Sequence, residues 1–228
     1  MTPRLYAFGI SRMAKVYYAF ETAWKEYLAS PDSDPRYKAL LDNAFVTGIA
    51  RSQRLESDLA NLNEGWSGFE IDHDDEAVRA AVAHVSATLK TKPYVLLAYA
   101  WVMYMALFNG GRFIRKLMLG AGPGFWRGKE EHAVAQSYLS LWYFNGTEDG
   151  EDIKLAFKTN VADAGAQLTE AEREDVVAEA ESLFQLVFGI VMEIDKIAKP
   201  VPPMSKLSVY LPVLAILVLL AAVWAAAF

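Results

Sequence analysis

The stretch "LAYAWVMYMALFNGGRFIRK", residues 97–116, decides the fold, because a long apolar run meets two adjacent glycines there and continues as a basic, amphipathic segment. The run opens after Pro93 and carries no charge before Arg112, which predicts a long apolar helix. A glycine inside a helix costs about 1 kcal/mol relative to alanine, so Gly110 and Gly111 need a reason. Two explanations remain open. The glycines allow either a kink or close packing between helices, or a groove in which a flat ligand lies against bare backbone.

Upstream of this segment, the sequence predicts helices separated by short breakers. The first helix runs from Arg4 to Ala29 and ends at "SPDSDP", which supplies a turn and an N-cap at Asp34. A second helical unit runs from Pro35 to about Leu62, with a break allowed near Thr47 and Gly48. The loop "NEGWSGFEIDHDD", residues 63–75, and the helix "DDEAVRAAVAHVSATLK", residues 74–90, complete this half.

Downstream, we expect an amphipathic turn after Gly111, the loop "GAGPGFWRG", a helix around Glu130 to Tyr143, and the loop "NGTEDGED". A last helix opens at Thr169 with a capping box that Glu172 completes. Its apolar residues recur every three or four positions and predict one core-facing side: Val177, Ala180, Phe184, Val187, Val191 and Ile194. No alternating strand pattern occurs, so the predicted class is all-α, with a single domain over residues 1–198.

The C-terminal segment "LSVYLPVLAILVLLAAVWAAAF", residues 207–228, carries no charge and would span roughly 33 Å as a helix. It follows the Pro-rich linker "KPVPPMSK", residues 199–206, so we interpret it as a transmembrane tail anchor; a fully buried core helix is the alternative. Lys196, Lys199 and Lys206 precede it, and the positive-inside rule then places the N-terminal domain in the cytosol. With no signal-peptide pattern at the N-terminus, we expect the endoplasmic reticulum membrane, where the helix inserts into the lipid bilayer.

Composition excludes several classes of function. The chain has no cysteine, which removes disulfides, thiolate catalysis and zinc–thiolate sites. A net charge of -6 without a basic stripe argues against binding nucleic acid. His73, His84 and His132 stand in polar or acidic surroundings, where solvated histidines are more common than metal ligands, and we predict no metal site. The acidic run at residues 72–76 could bind a divalent cation, but its place before a helix favours a capping role.

A set of motifs resembles the heme oxygenase family in order along the chain. They are "VYYAFE" at residues 16–21, "RLESDLANL" at 54–62, "YMALFNGGR" at 104–112, "LSLWYFNG" at 139–146 and "LTEAEREDVVAEAESLFQL" at 168–186. The resemblance implies an all-α heme oxygenase fold, heme as cofactor, and oxidative opening of heme to biliverdin, carbon monoxide and iron. It also implies a membrane-bound, NADPH-dependent reductase as partner.

The resemblance further implies which residues contact heme. Tyr17 and Tyr104 match family tyrosines near the distal pocket, although either could be an ordinary buried aromatic residue. Gly110 and Gly111 would let the helix bend over one face of heme, and Lys158 matches a basic residue that pairs with a propionate.

The chain also departs from the family at positions that matter for the reaction. The family's proximal histidine lies on a helix before the matched region, and no histidine precedes His73 here. Leu107 occupies the place of the aspartate that organises a proton-delivering water, so we assign no catalytic residue. Met103 replaces an arginine and Val187 an asparagine. Because apolar side chains cannot hold that water, the alternative is a non-catalytic protein that binds heme or another apolar ligand, or a membrane-bound partner protein.

Overall fold

Helix α5, Leu96–Gly120, is the centre of the fold, and most of its residues up to Gly111 are buried. The structure is a computed structural model that describes residues 2–66 and 75–198. With the preceding turn, Pro93–Gly120 is long and apolar enough to cross a membrane, but 89% of its most apolar window is buried inside the protein. The segment is therefore a core helix.

The remaining helices pack around α5. In chain order they are α1 (Pro3–Ala29), α2 (Pro35–Ala44), α3 (Ser52–Gly65), α4 (Glu76–Thr91), α6 (Gly122–Phe125), α7 (Glu131–Tyr138), α8 (Glu151–Ala166) and α9 (Glu170–Ile197). Short 3₁₀ turns occupy Pro93–Val95 and Ser140–Trp142. The described ranges contain no β-strand, which confirms the all-α class.

The three longest helices share one buried layer, and hydrogen bonds fix their directions. Tyr94, in the 3₁₀ turn that precedes α5, donates to Asp175 of α9 at 2.5 Å, and Tyr99 of α5 donates to Glu179, so these two helices run parallel. Helix α1 runs antiparallel to both, because Phe20 stacks on Tyr99 while Gly9, near the other end of α1, lies beside Ile194. The C-terminal ends of α5 and α9 therefore lie at the same end of the bundle as the start of α1.

Several helix boundaries agree with the sequence predictions. Asp34 caps α2 by accepting the N–H of Arg36 at 2.8 Å. Thr169 and Glu172 form the predicted capping box of α9. The break near Gly48 is present between α2 and α3, and this glycine has a positive φ of 87°, which a residue with a side chain rarely adopts.

Other boundaries differ from the predictions for identifiable reasons. Helix α5 continues through the two glycines to Gly120, where a turn was expected, and its buried Met118 accepts a hydrogen bond from Trp126. The helix expected around Glu130 to Tyr143 ends at Tyr138, because the carboxylate of Asp58 binds the next backbone N–H groups and starts a separate 3₁₀ turn. Helix α8 was not among the predicted helices.

The acidic run at residues 72–76 is only partly described. Asp75 occupies the N-cap position of α4, but its carboxylate pairs with the buried Arg12 at 2.6 Å and makes no capping hydrogen bond. Asp72, His73 and Asp74 lie outside the described residues, as do the predicted linker at 199–206 and tail anchor at 207–228.

Candidate functional site

An apolar cavity of about 220 Å³ lies between α1, α5, α9 and the 3₁₀ turn Ser140–Trp142. Helix α5 supplies the largest share of its wall. The lining residues are Ile10, Met13, Tyr17, Val102, Met103, Ala106, Leu107, Gly110, Ile114, Leu141, Trp142, Phe184, Val187 and Val191.

The polar group that Tyr17 brings to the cavity is already satisfied by the protein. Its hydroxyl donates to the backbone oxygen of Met103 at 2.9 Å. Burial raises the pKa of Tyr17, and the nearby carboxylate of Glu21 raises it further, so the phenol stays protonated. The remaining lining side chains are aliphatic, aromatic or thioether groups, together with the indole of Trp142, so the cavity has no charged group on its wall.

The three positions at which the resemblance predicts polar residues come together here. Met103 and Leu107 lie on α5 and Val187 lies on α9, 80 residues from Leu107 in the sequence, and all three line the cavity. Leu107 and Met103 are buried, with 3% and 6% of their surfaces exposed. The positions expected to carry a polar network therefore form one continuous apolar surface.

The predicted site residues separate into two groups. Tyr17 and Gly110 line the cavity, and Gly111 lies beside it against Trp142. Tyr104 and Lys158 do not belong to the lining: Tyr104 is fully buried in the core, and Lys158 is exposed on α8.

Gly111 has a clear packing role. A Cβ atom at this position would lie 3.0 Å from Cε3 of Trp142 and 3.5 Å from Cδ1 of Leu107. The indole is held in place, because its Nε1 donates to the hydroxyl of Tyr6 at 2.8 Å. The second glycine thus lets an aromatic side chain of the cavity wall lie directly on the helix backbone.

Tyr104 belongs to a polar cluster around the carboxylate of Glu21. Its hydroxyl donates to Oε1 of Glu21 at 2.8 Å, and the N–H groups of Arg51 and Ser52 donate to the same carboxylate at 2.7 and 2.9 Å. Burial and the Glu21 charge raise the pKa of Tyr104 well above its usual value. This cluster ties α1, α3 and α5 together behind the cavity.

Asp58 holds the cavity wall formed by Leu141 and Trp142. It is fully buried and accepts the backbone N–H groups of Ser140 at 3.0 Å and Leu141 at 2.8 Å. Burial raises the pKa of Asp58 to about 6, and these hydrogen bonds partly oppose the rise. The motifs "RLESDLANL" and "LSLWYFNG" contain these residues, but their contact was not predicted from the sequence.

The described residues fit the apolar part of a heme and do not fit its iron. The lining offers no imidazole, thiolate or carboxylate, and the two thioethers of Met13 and Met103 are its softest donors. Within residues 2–66 and 75–198, no three His, Cys, Asp or Glu side chains group as a metal site. His84 instead pairs with Glu179 at 2.8 Å, and His132 lines a separate pocket beside Glu131.

Comparisons with known proteins agree with this architecture. The family model described as heme oxygenase matches residues 2–193. The fold and the cavity thus define an all-α protein of the heme oxygenase class, and the chain belongs to the heme oxygenase family.

The relatives are distant in sequence. The heme-binding protein HMX1 of Saccharomyces cerevisiae is 24% identical over 212 residues, which cover 85% of this chain and 66% of that protein. The heme oxygenase of Guillardia theta is 22% identical, covering 80% of this chain and 70% of its own length. The chain therefore spans about two thirds of the length of these relatives.

Solved structures share the fold at similarly low identity. Heme oxygenase-1 of the cyanobacterium Synechocystis, solved in complex with heme, has a TM-score of 0.65 and 18% identity, covering 86% of this chain and 79% of that one. Heme oxygenase 2 of Chlamydomonas reinhardtii, solved without heme, has a TM-score of 0.67 and 19% identity. The match covers 89% of this chain and 86% of that one.

Proposed function

We propose that this chain is a heme-binding member of the heme oxygenase family whose described residues do not support oxidative ring opening. The observation that carries the proposal is the position of Met103, Leu107 and Val187 together on the wall of one apolar cavity. An apolar wall favours binding of a flat, largely hydrocarbon ligand and removes the polar groups that a proton-delivery network needs.

Binding is supported by the character of the cavity wall. Burial of apolar surface contributes roughly 25 cal/mol per Å², so a macrocycle gains affinity from such a wall without any charged partner. The cavity volume of about 220 Å³ is below the roughly 300–1,000 Å³ of sites that enclose drug-sized ligands. The wall therefore serves as a contact surface for heme rather than as a complete enclosure. The assignment of Lys158 to a propionate stays a prediction.

Ring opening is not supported because the described lining of the cavity carries no carboxylate, imidazole or charged group that could hold and protonate a water. Positioned general acids contribute about 100- to 10,000-fold to a rate, and Leu107 supplies no proton. The hydroxyl proton of Tyr17 is committed to the backbone oxygen of Met103. No step of the reaction is therefore assigned to these residues.

We further propose that the C-terminal segment anchors the protein in a membrane. The uncharged segment at 207–228 and the lysines before it support a tail anchor in the endoplasmic reticulum membrane, with the domain in the cytosol. An NADPH-dependent reductase in the same membrane is the expected partner if any turnover occurs. Deletion of residues 207–228 should release the protein from membranes, and extraction of the full chain by alkali would contradict the anchor.

A hemin titration tests the binding proposal. The full chain in detergent should show a saturable change in the visible spectrum of hemin. Ala106→Leu fills the cavity and should weaken binding at least about tenfold, which corresponds to 1.4 kcal/mol. Ala156→Leu makes the same change at an exposed site on α8 and should bind like the parent. Equal hemin affinity of the parent and both variants would show that hemin does not bind in this cavity.

A further inference from the structure

Four exposed apolar side chains are grouped on two helices next to the cavity. Phe113 and Leu117 of α5 are 50% and 57% exposed, and Phe188 and Met192 of α9 are 44% and 36% exposed. Within each helix the two residues are four positions apart and share one side. Most large apolar residues of the described chain are buried, so this grouping needs an explanation.

The two pairs lie at the same end of the bundle. Helices α5 and α9 run parallel with an offset of about 80 residues, set by the bonds from Tyr94 to Asp175 and from Tyr99 to Glu179. At this offset Phe113 and Met192 lie at nearly the same level along the axis of the bundle. Helices α5 and α9 end close to the same level, at Gly120 and Ile197. We call Phe113, Leu117, Phe188 and Met192 the apolar end patch.

The apolar end patch continues the lining of the cavity. Phe113 and Leu117 each follow a lining residue, Ala106 and Gly110, by seven positions, which is two helical turns on the same side. On α9, Phe188 follows the lining residue Phe184 by four positions. The lining residues and the apolar end patch therefore lie on the same side of α5 and on neighbouring positions of α9.

The C-terminal segment leaves the domain from this same end. Helix α9 ends at Ile197, and the ten residue steps from there to the start of the apolar segment at 207–228 span at most about 36 Å. If that segment is inserted in a bilayer, the end of α9 is held within this distance of the lipid surface. The inference below rests on this proposed anchor.

The exposed charges near the apolar end patch are mixed, with Asp195 beside Lys196, and the two lysines suit a lipid surface. Lys116 and Lys196 are exposed at the ends of α5 and α9, where long lysine side chains reach headgroups while their stems lie on apolar surface. Two neighbouring arginines are neutralised internally, because Arg112 pairs with Glu151 at 2.6 Å and Arg115 with Asp149 at 2.5 Å.

We propose that the apolar end patch is a membrane-docking surface, which inserts into the headgroup boundary of the bilayer that holds the anchor. Docking would bury the four exposed side chains and would bring this end of the bundle, with the neighbouring cavity wall, close to lipid. An apolar ligand dissolved in the bilayer could then reach the cavity without crossing water.

Labelling with an environment-sensitive fluorophore tests this surface, and the absence of cysteine makes the labelling specific. Leu117→Cys and Met192→Cys report the apolar end patch in the full chain, reconstituted in vesicles of zwitterionic and anionic phospholipid. Phe45→Cys is the matched control, since Phe45 is 40% exposed and packs on Trp24, in the half of α1 away from the patch. Circular dichroism checks that each labelled variant is folded.

We expect labels at 117 and 192 to show blue-shifted emission, strong quenching by nitroxide lipids and weak quenching by iodide, with the reverse at 45. Iodide quenching at 117 and 192 equal to that at 45 would overturn the docking surface and leave the anchor intact. Protection from both quenchers would also overturn it, because a second protein copy would then cover the patch. Failure of the chain to float with vesicles would reject the anchor and the docking surface together.

Discussion

Replacing Gly111 with alanine tests whether this glycine exists to admit Trp142. Alanine gains about 1 kcal/mol of helix propensity inside a helix. Its Cβ would lie 3.0 Å from Cε3 of Trp142, and relieving such overpacking typically costs about 1–3 kcal/mol. The indole cannot move away freely, because its Nε1 is bonded to Tyr6 at 2.8 Å. We therefore expect a change in the free energy of unfolding between zero and a loss of about 2 kcal/mol.

The matched control is Gly189→Ala in α9, where the new Cβ would meet Cβ of Ala77 at an ordinary 3.8 Å. This variant should gain up to about 1 kcal/mol, so the two variants should differ by about 1–3 kcal/mol. For a chain of this size, 1 kcal/mol corresponds to a shift in Tm of about 2–4 °C. Thermal unfolding of the full chain by circular dichroism measures the difference. Equal stabilisation by both substitutions would refute the packing role of Gly111.

Three further predictions concern single groups. Tyr104→Phe removes the buried hydrogen bond to Glu21 and should lower the free energy of unfolding in urea by about 1.5–3 kcal/mol; an unchanged unfolding midpoint would contradict that bond. The pKa of Asp58 is raised from 3.8 to about 6, which adds stability that is complete only below pH 3.8 and is lost as the pH rises through 6. The parent should therefore lose about 2 kcal/mol relative to Asp58→Asn between pH 4 and 7, and parallel pH profiles of the two proteins would refute this. Leu107→Asp places an unpaired carboxyl in an apolar wall and should lower Tm without producing biliverdin; product formation by this variant alone would show that the distal position is sufficient.

The helical core could be predicted from the sequence because its signals are local. The apolar run before Gly110, the capping box at Thr169 and the turn at Asp34 each follow from residues within one or two helical turns. Helix α8 also carries such a signal, since buried Ile153 and Phe157 are four residues apart, but the sequence predictions do not include this helix.

The wall of the candidate site could not be predicted in the same way, because it depends on contacts between distant segments. Asp58 fixes the turn at Ser140 across 82 residues, and that turn delivers Trp142 to Gly111. The sequence left both roles of the glycines open, and no local pattern distinguishes a helix neighbour from a ligand at such a position. Motif matching likewise found Met103, Leu107 and Val187 as separate departures, and only the fold brings them to one cavity.

Turnover of hemin by the unmodified full chain is the decisive measurement of whether this protein opens the heme ring. The protein is loaded with hemin, supplied with NADPH and a heme oxygenase reductase, and followed in the visible spectrum for loss of hemin and appearance of biliverdin. We predict that hemin stays bound and that little or no biliverdin forms, since no described residue on the cavity wall can deliver a proton. Rapid, stoichiometric formation of biliverdin would contradict it and return this chain to the catalytic members of the family.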